Sequence, residues 1–359
     1  MFHRESGYFK TSYGADMGLY PLPIARWTVG VLVAAFLVLP LLTTALTGDR
    51  AAEYYVSIVN IIMIAVVGAL GLNILVGYTG QISIGHAAFM SVGAYTAANL
   101  AVKLGLPFWV TLPAGGLMAA AIGVIVGIPS LRIKGLYLAI ATLAAQLIIE
   151  WVINHVPWIS GGSQASIEVP RPTFFGKELK TQRELYYFLL LFAVLAVVAT
   201  LNLVRSRIGR AFIAIRDRDI SAELLGIPLL RYKLMSFGLS AFYAGVAGGL
   251  WAYLFRVVTP ESFPLVYSIF FLAAVIVGGM GTILGSILGA VFMTLVPEIL
   301  KLIVGLVAPW FPNAVAILSP VRTIVFGLLI IGFLIFEPHG LAEIWRRIRR
   351  FFHLWPFRT

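Results

Sequence analysis

The chain has 359 residues and a mean hydropathy of +0.96, with 60% of residues hydrophobic and 11% charged; soluble domains run at about half apolar and a quarter charged, so an integral membrane protein is expected. It has no cysteine, which excludes disulfides and thiolate metal sites, and its five histidines are scattered, so no metal site is expected. The net charge of +11 fits either nucleic acid or anionic lipid, and the positions of the charges decide between them.

Residues 1–24 are a mixed leading segment, and the apolar stretch behind them lacks a small-residue cleavage site. It reads as a retained span rather than a signal peptide. A crossing needs about 20 apolar residues. Candidates lie near 25–46, 54–76, 84–102, 108–128, 135–154, 185–204, 235–254, 266–280, 283–306 and 319–336. The eighth is short and the ninth is polar at its C-terminal end, so eight to ten crossings are expected. All should be helices, because lipid leaves open backbone groups unsatisfied. The expected fold class is an all-α, polytopic membrane helix bundle forming one domain over 1–359.

With ten crossings, the even-numbered gaps and both termini share a side. That side holds seventeen of the 26 Lys and Arg, including Arg132, Lys134, seven between Arg205 and Lys233, and five from Arg346 to Arg358. The positive-inside rule places it, and both termini, in the cytoplasm. The charge is then explained by topology and inner-leaflet lipid, which leaves no case for nucleic acid.

The segment "GYTGQISIGHAAFM", 77–90, interrupts the apolar runs with glycines and polar groups. Gly77, Gly80 and Gly85 with Gln81, Ser83 and His86 fit either close helix packing or a broken helix beside a cavity. "VGGMGTILGSILGAVF", 277–292, is a second such region, with Gly281, Gly285 and Gly289 spaced for one helix face. One in each half suggests an internal repeat around a central pathway, and two independent packing seams fit equally well. Gly115/Ala119/Gly123/Gly127 and Ala241/Gly245/Gly249 are further small-residue ladders, read as packing.

Two hydrophilic connections are long, an outer one at 155–184 and an inner one at 205–233. In the inner one, Asp219 is placed to cap a short helix through Ile220–Leu225, with Gly226 as its left-handed stop and Pro228 as the block beyond. Ile220, Leu224 and Ile227 share a face, while Arg216, Arg218 and Glu223 stay polar. Such a helix docks a partner or lies on lipid. The tail 337–359 carries arginines among Trp345, Phe351, Phe352 and Trp355, as interfacial anchors do. No phosphate loop, HExxH or GxSxG occurs, so no catalytic residue is expected. Mid-membrane acids are nearly absent, which argues against a proton-driven carrier.

The stretches 71–100, 128–146 ("IPSLRIKGLYLAIATLAAQ"), 205–250 and 277–290, with the ending "FEPHGLAEIWRRIRRFFHLWPF", resemble the LivM-type inner-membrane permeases of bacterial branched-chain amino acid ABC importers. The resemblance implies a non-catalytic subunit in the bacterial inner membrane, moving leucine, isoleucine and valine from periplasm to cytoplasm. Its implied partners are a second related permease, two cytoplasmic ATPases that bind ATP and Mg, and a periplasmic binding protein; the chain itself would bind no cofactor. Segment 205–233 is similar to the family's ATPase-coupling loop, a divergent EAA motif reading "SAELLG" here. This maps Arg216, Asp217, Arg218, Asp219, Glu223 and Gly226 to coupling. "SGGSQASIEVP" resembles a glycine-rich stretch of the periplasmic loop, with Ser160 and Ala165 in place of Thr and Gly. Asn73, Gly77, Gly80, Gln81, Ser83, Gly85, His86 and Asn99 are then expected to line the translocation route or brace it at the permease interface. Related permeases for urea or short-chain amides are the nearest alternative, and a stand-alone secondary carrier a remoter one.

Overall fold

The computed structural model describes residues 23–131, 133, 135–161, 166–174, 177–307, 314–337 and 339–354. The leading segment up to residue 22, Arg132, Lys134, positions 162–165 of the glycine-rich outer stretch and the tail beyond residue 354 lie outside them. The chain divides into two compact units, 1–57 with 343–359, and 58–342.

The protein is an all-α polytopic bundle. Seven helices among the described residues are long and apolar enough to cross a membrane: Ala51–Tyr78, Phe108–Gly127, Leu136–His155, Gln182–Arg205, Leu229–Phe255, Pro260–Gly278 and Ile283–Val304. The other three expected positions are helical too. In chain order, α1 is Pro23–Thr47 and α2 is Asp49–Asn73, continued by a π-helical turn Ile74–Tyr78. Then follow α3 (His86–Lys103), α4 (Phe108–Gly127), α5 (Leu136–His155) and the short α6 (Pro157–Ser160). Next come α7 (Gln182–Arg205), α8 (Arg207–Asp217), α9 (Asp219–Leu224) and α10 (Leu229–Phe255). The chain closes with α11 (Leu265–Gly278), α12 (Ile283–Val307), α13 (Ala314–Phe336) and α14 (Gly340–Leu354).

In the unit 58–342 the centre is a crossing of α3, α4 and α10, and small residues make it. A Cβ built on Gly245 would sit 2.6 Å from the Ala119 Cβ and 2.8 Å from the Gly115 carbonyl; one on Gly115 would sit 2.7 Å from the Gly93 carbonyl. Further along the same seam Gly123 faces Ala241, and Gly249 faces Leu112. The two sequence ladders are thus the two sides of one contact. In lipid, where apolar side chains gain little by leaving their surroundings, such close backbone approach supplies much of the association energy. Outward faces are apolar and exposed, as at Leu117, Ile125, Ile140 and Trp151, which suits a lipid boundary.

A second packing group joins α11, α12 and α13 through Ala273, Ala274, Val277 and Met293, with Phe292 and Phe333 edge to face at 5.8 Å. Gly285 and Gly289 of α12 admit the α11 backbone at Gly278 and Ala274. Gly281 is not on that face, contrary to its four-residue spacing. It lies in the break between α11 and α12 with φ +74, because three glycines within 278–281 favour a turn over a helix.

Contacts define the two ends of this unit. At one, the break after Tyr78, the end of α8, the break after Gly278 and Gly340 come together. At the other, β1 (Ile167–Glu168) pairs antiparallel with β4 (Val257–Val258), and α6 is held by α3. A hairpin of β2 (Thr173–Phe174) and β3 (Lys177–Glu178) lies within the connection 155–184. In the unit formed by 1–57 and 343–359, α1 contains Pro40, whose carbonyl takes hydroxyl bonds from Thr43 and Thr44. From residue 343, α14 presents Trp345, Ile348 and Phe351 beside Arg346, Arg347, Arg349 and Arg350, with Arg346 paired to Glu343 at 3.1 Å.

Candidate functional site

The polar segment 77–86 divides into two places. The first is a junction of two helix breaks. Asn73, fully buried at the end of α2, donates its Nδ2 to the Thr282 carbonyl at 3.0 Å and accepts from the Gly281 N–H at 2.9 Å. One amide thus joins the break after α2 to the break before α12. Gly77 makes the approach fit, since a Cβ there would lie 2.5 Å from the Gly281 nitrogen. Gly80 and Gly281 have φ +72 and +74, conformations that L side chains rarely adopt. The π turn between Asn73 and Tyr78 widens the helix where the second break comes in, and Thr79 Oγ1 satisfies the Ile74 carbonyl at 2.9 Å.

The second place is the start of α3. Residues 79–85 run without regular structure, and their backbone groups need partners inside the bundle. Gln81 N–H donates to the Leu75 carbonyl at 3.0 Å, and Ile84 N–H donates to Thr142 Oγ1 at 3.0 Å. Gly85 must be glycine here because it lies against the Thr142 backbone. The first turn of α3 is satisfied by side chains from two other helices: Ala87 N–H donates to Ser268 Oγ at 2.8 Å and Ala88 N–H to Gln146 Oε1 at 2.9 Å. Ser268 also donates to Gln146 Oε1 at 3.0 Å, and Gln146 Nε2 donates to the Phe263 carbonyl at 3.2 Å. His86 Nε2 lies 2.9 Å from the Gly68 carbonyl, so that nitrogen carries the proton, and its ring meets Phe271 edge-on at 5.3 Å. Gln81 Nε2 donates to Ser236 Oγ at 2.7 Å. Two buried groups here, Gln81 Oε1 and the Ser240 hydroxyl, have no hydrogen-bond partner among the described residues.

Asn99 sits apart from these. It lies near the far end of α3 and donates to the Ile159 carbonyl at 2.8 Å, holding α6; Lys103, one turn on, lies over the Trp158 ring and donates to its carbonyl. Between α3, α5 and the 260–263 turn is a small pocket lined by Ser91, Gln146, Glu150 and Phe263. Its free space, about 10 Å³, holds one water and not an amino acid.

The connection 205–233 forms two helices. Ser206 caps α8, accepting from the Ile208 and Gly209 N–H groups, and α8 buries Ala211, Phe212 and Ile215. Asp219 is the first residue of α9 and not its cap; extended Arg218 (φ −156) precedes the helix, and Asp219 Oδ1 accepts from the next N–H, Ile220. The carboxylate is turned instead toward Lys233 of α10, at 3.8 Å, and that lysine side chain is 8% exposed. Gly226 ends α9 with φ +83; its N–H reaches the Glu223 carbonyl and Ile227 N–H reaches Ala222, a closed left-handed cap. Ile220, Leu224 and Leu225 stand 69%, 85% and 80% exposed, so the apolar face of α9 is uncovered in this chain. Arg216, Asp217, Arg218 and Glu223 are exposed as well.

Thr142, Gln146, Ser236, Ser268 and Thr282 are the polar partners that sequence reading did not single out. Thr142 with Gln146 and Ser236 with Ser240 each sit four apart in apolar helices, and that spacing was the available signal.

Residues 54–334 match the family model described as branched-chain amino acid transport system / permease component. The chain is 38% identical over 269 residues to the high-affinity branched-chain amino acid transport system permease protein LivM of Escherichia coli, covering 68% of this chain and 63% of that one. It is 27% identical over 297 residues to the probable branched-chain amino acid transport permease protein LivH of Methanocaldococcus jannaschii, 79% of this chain and 90% of that one. It is 26% identical over 275 residues to the autoinducer 2 import system permease protein LsrC of Salmonella typhimurium, 73% of each. The chain thus spans just under two thirds of the length of the LivM relative. No solved structure matches it. The matched stretch takes in the paired breaks, the capped start of α3 and the whole inner connection, and the chain belongs to the permease-component family of branched-chain amino acid transport systems.

Proposed function

We propose that the chain is the transmembrane permease subunit of an ATP-binding cassette importer that carries leucine, isoleucine and valine into the cytoplasm across the bacterial inner membrane. The observation that carries this reading is the family match over 54–334. ATP and Mg are bound and hydrolysed on two separate ATPase subunits, and a second related permease and a periplasmic binding protein complete the assembly. The inner connection 205–233 receives the ATPase stroke. Its uncovered Ile220, Leu224 and Leu225 form the docking face, and the Asp219–Lys233 pair fastens that face to α10.

A branched-chain amino acid is a zwitterion with an apolar tail, and its passage needs neutral polar groups and a greasy wall more than a fixed charge. The start of α3 offers such groups, with spare capacity at Gln81 Oε1 and Ser240. Most other polar groups of that segment are engaged within the chain, which supports a bracing role for Ser83, Gly85 and His86 and a lining role, at most, for Gln81. Asn99 braces the outer end. Substrate choice is set by the binding protein; a relative 26% identical over 275 residues is named for autoinducer 2 import. Reconstituted with its partners in proteoliposomes, the chain should support ATP-dependent leucine uptake that valine and isoleucine suppress and excess urea does not. Suppression by urea alone would reassign the substrate, and uptake by the isolated chain on an ion gradient would overturn the class.

Gly226→Pro tests the coupling assignment. Proline cannot reach φ +83, and it removes the N–H that closes the cap on Glu223. The variant should insert and assemble, while ATP hydrolysis no longer rises when loaded binding protein is added. Unchanged stimulation would move the coupling site elsewhere.

A further inference from the structure

We propose that Arg216 is the positioning residue that converts movement of the inner connection into movement of the membrane helices, by gripping both helix breaks at once. The proposal rests on the reading of the chain as a permease driven by separate ATPases.

Arg216 lies in the last turn of α8, and its side chain crosses the junction described above. Its Cγ is 3.4 Å from where a Cβ of Gly80 would be, and its Cζ is 3.4 Å from where a Cβ of Gly281 would be, with Nη1 closer still. Both positions are glycines with positive φ, so the stem and guanidinium rest on bare main chain. Any side chain at Gly281 would displace the arginine. Chemistry favours a cation here. The α2 helix with its π turn ends at Tyr78 and α11 ends at Gly278, so the stem lies by one helix C-terminus and the guanidinium by the break that follows the other. Such ends carry the negative pole of the helix dipole. A planar guanidinium with five N–H donors can serve two of them together, whereas a lysine ammonium acts as a single point.

The two breaks are joined to each other independently of Arg216. Asn73 bonds to both Gly281 and Thr282, and Gly77 abuts Gly281. A displacement of α8 is therefore delivered to α2 and to α11–α12 as one load. On its other side α8 is anchored in the protein by buried Phe212 and Ile215, with Phe212 against Tyr232 at 6.2 Å between ring centroids. Arg216 itself stays exposed at the rim. It works as a contact that can shift, not as a buried strut.

The experiment uses the complete transporter in proteoliposomes and measures leucine imported per ATP hydrolysed for wild type, Arg216→Ala and Arg216→Lys. Both variants should assemble. The ratio should fall about tenfold in Arg216→Ala and by about a third of that in Arg216→Lys, in the range of ordinary coupling energies. A wild-type ratio in either assembled variant overturns the proposal. So does a parallel loss of hydrolysis and uptake in Arg216→Lys, which would place the arginine at the ATPase surface. If the wild-type complex shows no ATP-driven leucine uptake, the parent reading falls and this proposal with it.

Discussion

Valine in place of Gly93 or Gly245 is expected to leave almost no folded protein in the membrane. These glycines, with Gly115, are where the backbones of α3, α4 and α10 touch. The Cβ of a substituted Gly245 would meet the Gly115 carbonyl at 2.8 Å and Ala119 at 2.6 Å, and one at Gly93 would land on the Gly245 backbone itself. A side chain in the way can change rotamer, but a backbone cannot, so the helices must part. Separation forfeits the contacts along the whole seam, including Gly249 on Leu112 and Gly123 on Ala241. Overpacking an ordinary core costs about 1–3 kcal/mol; at a three-way backbone crossing about 3 kcal/mol or more is expected. Size-exclusion profile and thermal midpoint in detergent report it. Gly327→Val and Gly332→Val on α13 are the matched controls, since both positions face open space, and they should behave as wild type. Equal behaviour of the two sets would mean that the three-helix crossing is not what holds the unit together.

The crossing shows how far the sequence can be read. Spacing marked Gly115, Ala119, Gly123 and Gly127 as one narrow face and Ala241, Gly245 and Gly249 as another, because a four-residue repeat puts residues on one side of a helix. It did not mark them as each other's partners, and Gly93, alone of its kind on α3, carried no repeat to notice. Hydropathy located all ten helical positions, since it depends on local composition. It left 77–83 between two spans but could not tell how that break is satisfied, because Thr142, Gln146, Ser236 and Ser268, from three other helices, supply the hydrogen bonds. The polarity of Gln81 was visible and its partner, 155 residues away, was not. Where two local signals disagreed, the stronger turn chemistry prevailed: Gly281 has helix spacing with Gly285 and Gly289, yet it adopts φ +74 in a glycine-dense break.

At the inner connection the stop signal was read correctly and the start was not. Gly226 is left-handed because no other residue ends a six-residue helix so cheaply. Asp219 has the chemistry of a cap, but a buried lysine on α10 competes for its carboxylate. The ion pair, at 3.8 Å, draws the carboxylate toward α10. The exchange has a consequence for the mechanism proposed above, since it ties α9 to the transport bundle through a side chain instead of leaving it as a free-standing cap.

Asn73→Leu is expected to loosen both helix breaks together. Leucine fills nearly the same volume and removes both bonds, leaving the Gly281 N–H without its acceptor, while the Thr282 carbonyl keeps the Ser286 N–H and hydroxyl. The deserted, half-buried N–H costs about 1–3 kcal/mol, and that is the loss expected of the variant. The loss is local before it is global, because the α3–α4–α10 crossing is held by its own backbone contacts. Hydrogen exchange followed by mass spectrometry should show faster exchange in peptides covering 74–80 and 279–283, in step, while the α3–α4–α10 crossing keeps its protection. If only one of the two segments accelerates, the breaks are separate elements and the arginine above them cannot load both. If both accelerate while Arg216→Ala leaves their exchange unchanged, the asparagine holds the breaks in register and the arginine only pushes on them, which is the division of labour that the geometry assigns.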